Sequence, residues 1–511
     1  MLFSSLFAKT AEYEKLAHAL SAPGACALFG LPGSGRAMVY AALAKETGRF
    51  LCIVTPGEAE ATRFAGDLNA LGIPTAVFPA RDYVLRPIEG TAREYEYRRL
   101  SVLGDIVGGR LQAVCVPDEG LTQYTTPRAE FCNNTRTLHP GDTVPRTELT
   151  ALLYNAGYAR RAQVDGPGQF SIRGDIVDLY APDMKLPVRM EFWGDEIDTM
   201  HTFDLATQRR EDSIEKIYVS PAREVLFGSP AEAAELLRAF IKKFRDKKRT
   251  ALEACLATEL AQLDGGALPV NMDKYLAVRY PQPATLLDYF DDPLLVLEEP
   301  ASLREAERAT TYRRGEEISA LLQDGVLAAG LDNLYAENGY LWAQAANHRT
   351  ICAENFARSM PDIPLKDIVN APAHTLPAWG GEVTSLLEDL QPLCNGGAAV
   401  TVLAGTQRAA AGLAADLRTK GLLVTTDPDA APGAGLVQVL PGQLSAGCSV
   451  PFAKYALFTA RAFGISSTQK KKKRNKDALN SLSEISVGDL VVHQNHGIGR
   501  YAGIQRMAVQ G

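Results

Sequence analysis

The feature that most constrains the fold is a glycine-rich turn between a short apolar strand and a helix. The strand is expected at Ala25–Phe29, the turn is Gly30–Ala37, and the helix is expected from about Ala37 to Thr47. A strand that enters a helix through so short a turn is typical of α/β proteins, in which strands pair in parallel and helices cover the sheet. The start of the chain therefore predicts an α/β domain.

The alternation of strands and helices continues beyond this turn. The segments that follow are strands at Phe50–Val54, Thr75–Phe78 and Ala113–Val116 and a helix near 58–71. A β-rich stretch over 126–222 interrupts the pattern, and then come helix-rich sequence, including 231–249, and a buried strand at Leu294–Leu297. We therefore expect one α/β domain in two parts, 1–125 and 223–350, with an inserted domain between them. Residues 351–465 predict a further α/β domain of unclear role.

The glycine-rich turn has the spacing of a phosphate-binding loop, G-x-x-x-x-G-K-[ST], through Gly30, Gly33 and Gly35. Two positions that carry its chemistry are changed. Arg36 replaces the lysine that reaches the β- and γ-phosphates, and Ala37 replaces the hydroxyl residue that ligates Mg²⁺. The sequence therefore predicts a degenerate loop in a RecA-like domain, whose backbone could still hold an anion weakly.

The second nucleotide motif of RecA-like ATPases places acidic residues after a buried strand. Glu298 and Glu299 stand in that position, and Glu298 departs from the usual Asp. Because a bound metal ion would have one ligand fewer here, we expect no ATP hydrolysis by this segment and no cofactor in this chain. The fold would then be kept as a scaffold.

The β-rich insertion contains an unusual outward face. We predict three strands over Phe170–Arg209, and within Val188–Trp193 the side chains must alternate between the two faces of the sheet. Arg189 and Trp193 then point away from the core, and Arg173 is expected near them. Exposed Trp and Arg are the composition of a binding hot spot. The alternative is a Trp193 half-buried under a loop, with both arginines in surface ion pairs.

Composition is that of an ordinary soluble protein of three or four domains. Apolar residues make up 46% of the chain, charged residues 22%, and the net charge is −7, so that any contact with nucleic acid would have to be local. The eight cysteines contain no Cys-x-x-Cys pair, and we find neither a signal peptide nor a membrane-length apolar run. We expect a cytoplasmic protein with reduced thiols and no metal site.

A second arginine-rich segment and the end of the chain leave alternatives open. Arg93, Arg98 and Arg99 lie in a helical run laced with Glu, which favours a solvated helix face over contact with DNA. Residues 466–483 read as a basic linker. Beyond it, His493 and His496 lack further ligands nearby, so that turn-forming residues explain them better than a metal site.

The β-rich segment carries a family resemblance. RGDIVDLYAP, PVRMEFWGDEID and FDLATQRR, from residue 173 onward, resemble the second domain of the bacterial transcription-repair coupling factors (Mfd), which is itself similar to the matching domain of UvrB. In that family the domain docks onto UvrA, the damage-sensing ATPase of excision repair. The resemblance implies that Arg173, Arg189 and Trp193 occupy UvrA-contact positions, with Trp193 where a Phe is more usual.

The C-terminal segment resembles a second part of the same family. VGDLVVHQNHGIGRYAGI, from residue 487, is similar to the start of the RNA-polymerase-interacting domain, a Tudor-like barrel shared with CarD-type regulators. The resemblance implies contact with the polymerase β subunit and suggests Met507 as an apolar contact residue. About two strands of that barrel fit into 484–511, so we expect a truncated domain here.

Both resemblances favour a non-catalytic, monomeric adaptor that recruits UvrA to RNA polymerase stalled at lesions. In the family, a translocase motor that uses ATP and Mg²⁺ on double-stranded DNA follows this part, and it is not found in these 511 residues. Two alternatives remain. A UvrB-type ATP-dependent helicase is disfavoured by Arg36, by Ala37 and by the lack of a tyrosine-rich hairpin. A CarD-type polymerase-binding regulator is disfavoured by the truncated barrel.

Overall fold

The computed structural model describes residues 6–86, 93–361, 363–431, 433–460, 490–493 and 497–500. They belong to two units, 1–463 and 464–511, which are described separately. Within the described residues, no helix has both the length and the apolar character needed to cross a membrane.

The strands, numbered in chain order, are β1 (Gly24–Phe29), β2 (Leu51–Thr55), β3 (Thr75–Val77), β4 (Ala113–Pro117), β5 (Arg136–Leu138), β6 (Ala159–Arg160), β7 (Gln169–Arg173), β8 (Ile176–Tyr180), β9 (Val188–Trp193), β10 (Glu196–Phe203), β11 (Arg210–Ser213), β12 (Ile217–Val219), β13 (Leu294–Glu298), β14 (Arg349–Glu354), β15 (Leu365–Asn370), β16 (His374–Leu376), β17 (Ala399–Leu403), β18 (Leu423–Thr425), β19 (Leu436–Leu440), β20 (Gly447–Val450), β21 (Tyr455–Thr459), β22 (Leu490–His493) and β23 (Gly497–Arg500).

The α-helices are α1 (Ala11–Ala19), α2 (Gly33–Thr47), α3 (Glu58–Ala70), α4 (Glu94–Val107), α5 (Asp118–Thr122), α6 (Arg128–Asn133), α7 (Arg146–Asn155), α8 (Pro230–Lys242), α9 (Asp246–Asp264), α10 (Leu276–Arg279), α11 (Pro300–Gln323), α12 (Tyr340–Asn347), α13 (Val383–Asn395) and α14 (Gln407–Thr419). Short 3₁₀ turns lie at Met272–Tyr275, Leu286–Tyr289 and Pro451–Ala453.

The first sheet has seven strands in the order β15-β1-β14-β13-β2-β4-β3, all parallel. Its inner strands read as continuous apolar runs because both faces are covered: Cys26 and Leu28 pack into one core with α2 and α3, and Ala25 and Ala27 into another with α4 and α12. The expected mixed α/β fold with a parallel sheet is confirmed. The proposed division after residue 350 falls within β14, and β15 also pairs in this sheet.

The second sheet, in the β-rich insertion, has the order β11-β10-β9-β8-β7-β6. Only the pairing of β6 with β7 is parallel. The prediction of three strands over 170–209 is wrong, because four lie there. The Gly174–Asp175 turn between β7 and β8, which sequence reasoning missed, resembles the Gly194–Asp195 turn between β9 and β10. Both glycines have positive φ, 61° and 64°, which two-residue hairpin turns require.

The helix-rich run 231–249 is divided into α8 and α9, which pack against each other. The break is at Lys243–Arg245, and Asp246 just after it has a φ of 53°. No glycine or proline marks this break in the sequence, which is why periodicity alone did not show it.

A third sheet has the order β16-β20-β21-β17-β19-β18, with a parallel centre and an antiparallel edge formed by β16 and β20. One face of its β20–β21 region shares a core with α2: Leu444, Cys448 and Tyr455 belong to the same buried cluster as Met38 and Leu43. The helix after the glycine-rich turn therefore lies between two sheets.

In the second unit, β22 and β23 form an antiparallel hairpin, with Leu490 opposite Arg500 and His493 opposite Gly497. The predicted polymerase-contact residue Met507, as well as His496 and the basic linker, lie outside the described residues.

Candidate functional site: a docking face and a closed phosphate loop

The outward face of the second sheet is organised around one carboxylate. Asp178 on β8 is fully buried, and the strand register places it opposite Ser171 on β7 and Arg189 on β9. Arg173 lies two residues from Ser171 and shares its face. The face therefore brings Arg173, Asp178 and Arg189 together, as the alternation of side chains predicts for the two arginines.

Both arginines bind Asp178. Arg189 donates from Nε to Oδ1 at 2.7 Å and from Nη2 to Oδ2 at 3.0 Å, and Arg173 donates from Nη2 to Oδ2 at 2.5 Å. The hydrogen bonds to Asp178 raise the pKa of Arg189. A buried carboxylate is stable only when paired, so this arrangement holds the three strands in register and leaves one excess positive charge.

The two arginines differ in how far they can reach a partner. The side chain of Arg189 is 12% exposed and lies over the Phe203 ring at 4.6 Å, so it lies on the outward face but is largely covered. The side chain of Arg173 is 46% exposed and contacts Asp178 through one nitrogen. Arg173 keeps donors for a partner, whereas Arg189 chiefly positions Asp178.

Trp193 lies at the end of β9, beside this cluster, and is 83% exposed. The interpretation of a half-buried Trp193 is therefore wrong. Both arginines do form ion pairs, but with a buried carboxylate and not at the surface as that interpretation had it. Val188, Met190 and Phe192, on the other face, are buried as the alternation predicts. Burying about 200 Å² of tryptophan surface is worth roughly 5 kcal/mol before the costs of association.

The degenerate phosphate loop has a different structure from the one expected. Helix α2 begins at Gly33, not near Ala37, and the Arg36 amide donates to the Pro32 carbonyl at 2.9 Å. Gly35 approaches Leu31 and Pro32 so closely that an added Cβ would lie 3.3–3.4 Å from them. The residues that would cradle a phosphate are therefore wound into the first turns of the helix.

The Arg36 side chain occupies the space beside the second acidic motif. Its Nη1 lies 3.2 Å from Glu298 and 2.9 Å from Glu299, and Tyr40 donates to Glu298 at 2.6 Å. Burial opposes the charge of Arg36, but the neighbouring carboxylates outweigh it and raise the pKa of the guanidinium. Burial also raises the pKa of Glu298, although Arg36 opposes this. The residues of both predicted nucleotide motifs thus bind each other.

The third sheet closes this region. The Ser445 amide and hydroxyl donate to Asp67 on α3 at 2.7 and 2.6 Å. Ser34 is buried beside Cys448 on β20, and burial raises the pKa of the Cys448 thiol to about 12. Helix α2 is covered on this side by protein, which is a different arrangement from an open nucleotide cleft.

A buried ion network, which the sequence did not predict, joins the two parts of the α/β domain that flank the insertion. Arg99 on α4 is fully buried and donates from Nε to Glu224 at 2.7 Å, and Arg81 bridges Glu224 and Asp273. The predicted solvated helix face is therefore wrong for Arg99. The only signal of this burial in the sequence was the helical spacing between Arg99 and the apolar positions of α4, which places Arg99 on their face of the helix. Within the described ranges, no group of three His, Cys, Asp or Glu side chains could hold a metal ion.

Comparison with known proteins identifies two segments. Residues 137–225 match the model of the UvrB interaction domain, and residues 485–511 match that of the CarD-like/TRCF RID domain. The first match contains Arg173, Asp178, Arg189 and Trp193.

Relatives align with almost the whole chain. The transcription-repair-coupling factor of Bacillus subtilis (strain 168) is 27% identical over 500 residues, which is 95% of this chain and 42% of that protein. Those of Staphylococcus haemolyticus and Staphylococcus aureus (strain MRSA252) are 25% and 23% identical, over 94% of this chain and 42% of each relative. The chain thus spans about two fifths of the length of these relatives, and over nearly all of its own length it matches an N-terminal portion of the bacterial transcription-repair-coupling factors.

Proposed function

We propose that this chain is the adaptor part of a transcription-repair coupling factor, which recruits UvrA of nucleotide excision repair to RNA polymerase stalled at DNA lesions. The observation that carries the proposal is Trp193, 83% exposed on the same face and at the same end of the sheet as Arg173, in a domain that matches the UvrB interaction domain. A bare tryptophan next to a partly free guanidinium has the chemistry of a protein-binding hot spot.

Recognition divides into an anchor, a charge contact and a support. Trp193 is the anchor and enters an apolar pocket of UvrA. Arg173 turns its remaining donors to a carboxylate of the partner, for which a guanidinium is well suited. Arg189 keeps Asp178 neutralised and the three strands in register, so it acts through the other two residues.

The polymerase contact belongs to the segment matching the CarD-like/TRCF RID domain. We propose that residues 485–511 contribute the first strands of a Tudor-like barrel that contacts the polymerase β subunit, with Met507 at the interface. We propose that double-stranded DNA, ATP and Mg²⁺ are bound by the part of the relatives that has no counterpart in this chain. We further propose that the chain is monomeric and that its first sheet is a RecA-like domain retained as scaffold.

The pairing of Arg36 with Glu298 and Glu299 supports a non-catalytic scaffold. A phosphate-release assay on this chain with DNA and Mg·ATP tests it, with Arg36→Lys/Ala37→Thr as the variant that restores the loop sequence. We expect no turnover by either protein, because the helix begins at Gly33 and the third sheet covers α2. If the unmodified chain hydrolyses ATP and the variant changes the rate of that hydrolysis, the UvrB-type helicase would be favoured instead.

Calorimetry with UvrA tests the adaptor. Trp193→Ala and Arg173→Glu should each weaken binding by about 2 kcal/mol or more, as expected for hot-spot residues. Tyr312→Ala is the matched control, because Tyr312 is 73% exposed on α11, outside the inserted domain. Undiminished binding by both docking variants would place the interface elsewhere, and no binding by the unmodified chain would remove UvrA as its partner.

A further inference from the structure

The most concentrated positive charge in the described residues lies at the junction of α8 and α9. Six of the eight residues from 242 to 249 are cationic, in a chain where about one residue in ten is Lys or Arg and the net charge is −7. They are Lys242, Lys243, Arg245, Lys247, Lys248 and Arg249, and all six are exposed. We call this segment the basic tip.

The basic tip is held rigidly. Phe244, in its middle, turns inward and packs against Phe240, with ring centroids 5.1 Å apart. An added Cβ on Gly330 would lie 2.7 Å from the Phe244 ring, so the loop at Gly330 fits closely against it. The tip therefore presents its charges from a fixed turn between two packed helices.

These charges are poorly compensated within the protein. Arg249 pairs with Glu253 at 2.8 Å, and in the described ranges no ion pair joins any of the other five cations to a carboxylate. Asp246, the one acidic residue of the tip, lies with Lys247, Lys248 and Arg249 in the first turns of α9, where the helix dipole favours its negative side chain and disfavours the three cations. Such an arrangement raises the energy of the free protein and is relieved by a bound polyanion.

We propose that the basic tip binds the sugar-phosphate backbone of a nucleic-acid duplex without reading its sequence. Four of the six cations are lysines, which act as point charges toward phosphate. The one aromatic residue of the tip, Phe244, is packed inside, so no ring is presented for stacking on the bases of a single strand. Nor does the tip present an apolar side chain that would enter a membrane. This contact is separate from the UvrA face and does not depend on it.

The test is fluorescence anisotropy of a labelled duplex of mixed sequence with the whole chain, between 50 and 200 mM KCl. The tip variant carries Lys→Gln at 242, 243, 247 and 248. Its matched control carries Lys→Gln at 470–473, in the basic linker, and loses the same number of charges. UvrA affinity and thermal unfolding of both variants show whether they are folded.

For about five phosphate contacts, affinity of the unmodified chain should fall by about 10²- to 10³-fold across this salt range. The tip variant should bind at least about tenfold more weakly at 100 mM, with a salt slope smaller by about 3 to 4, and the linker control should keep most of the binding. Loss in the linker control alone, equal loss in both variants, or no duplex binding at 50 mM would overturn the proposal. So would tighter binding of a single strand, or binding to acidic vesicles that the duplex does not displace.

Discussion

Two of the regions in which arginines bind a buried carboxylate have opposite accessibility. On the second sheet, Arg173 and Arg189 share Asp178, and Trp193 lies in solvent beside them. At the glycine-rich turn, Arg36 is shared between Glu298 and Glu299 and is itself buried. The first region has two cations for one anion, and the second has one cation for two anions.

The difference shows that stoichiometry and burial together decide what such a cluster can do. At Asp178 the excess charge is positive and Arg173 is partly exposed, so donors remain for a partner. At Arg36 the guanidinium is buried between carboxylates of its own chain, on a helix that the third sheet covers. The glycine-rich turn, whose spacing is that of a phosphate-binding loop, is thus closed by its own chain, whereas the strand face with Trp193 is open to solvent.

The largest expected effect is at the closed cluster. Arg36→Ala leaves Glu298 buried without its cation, which should lower the free energy of unfolding by about 3–5 kcal/mol. Arg128→Ala, in an exposed pair with Asp291 at 3.4 Å, is the control and should cost less than about 1 kcal/mol. Urea unfolding measures both; equal losses would mean that burial does not distinguish the two pairs.

A smaller effect is expected when the open cluster loses its carboxylate. Asp178→Ala should cost about 2 kcal/mol in stability, less than Arg36→Ala, because Arg173 can return to water. It should also weaken UvrA binding, since Arg173 and Arg189 lose their common support. Asp198→Ala, an exposed acid on β10, is the control for both measurements. A loss larger than that of Arg36→Ala would contradict the comparison.

The pH dependence of stability should report on the closed cluster. Burial raises the pKa of Glu298, so the folded state holds this proton more tightly than the unfolded state. The stability that this group contributes is complete below its ordinary pKa and is lost as the pH rises through the raised value. Glu298→Gln should therefore flatten this part of the profile above about pH 4.5. Chemical unfolding of the unmodified chain and of the variant between pH 4 and 8 measures it.

The smallest effect on stability is expected at Trp193. Trp193→Ala removes a side chain that is already in water, so the free energy of unfolding should change by about 0.5 kcal/mol or less. The same variant should show the loss of UvrA affinity proposed above. A stability loss of about 2 kcal/mol or more would show that the tryptophan supports the sheet and would weaken its role as an anchor.

The sequence predicted the local elements that depend on neighbouring residues. The strands around Ala25–Phe29 and Ala113–Val116 were found because apolar runs between turn residues have few other structures available. The outward position of Trp193 followed from the two-residue period of a strand, which geometry fixes. The degenerate chemistry at Arg36 and Ala37 also required only the sequence, since the residue types themselves lack the needed ligands.

The tertiary structure alone decided which charges are free and which are bound. Asp178 became the centre of this face because three consecutive strands paired in a register that placed two arginines beside it. Arg36 met Glu298 across 262 residues, and Ser445 met Asp67 across 378. Ion pairing and burial depend on atoms that folding brings together, whereas strand periodicity and the chemistry of a residue are local properties. For this reason the sequence determined which face each side chain occupies, and the tertiary structure determined whether that face is accessible.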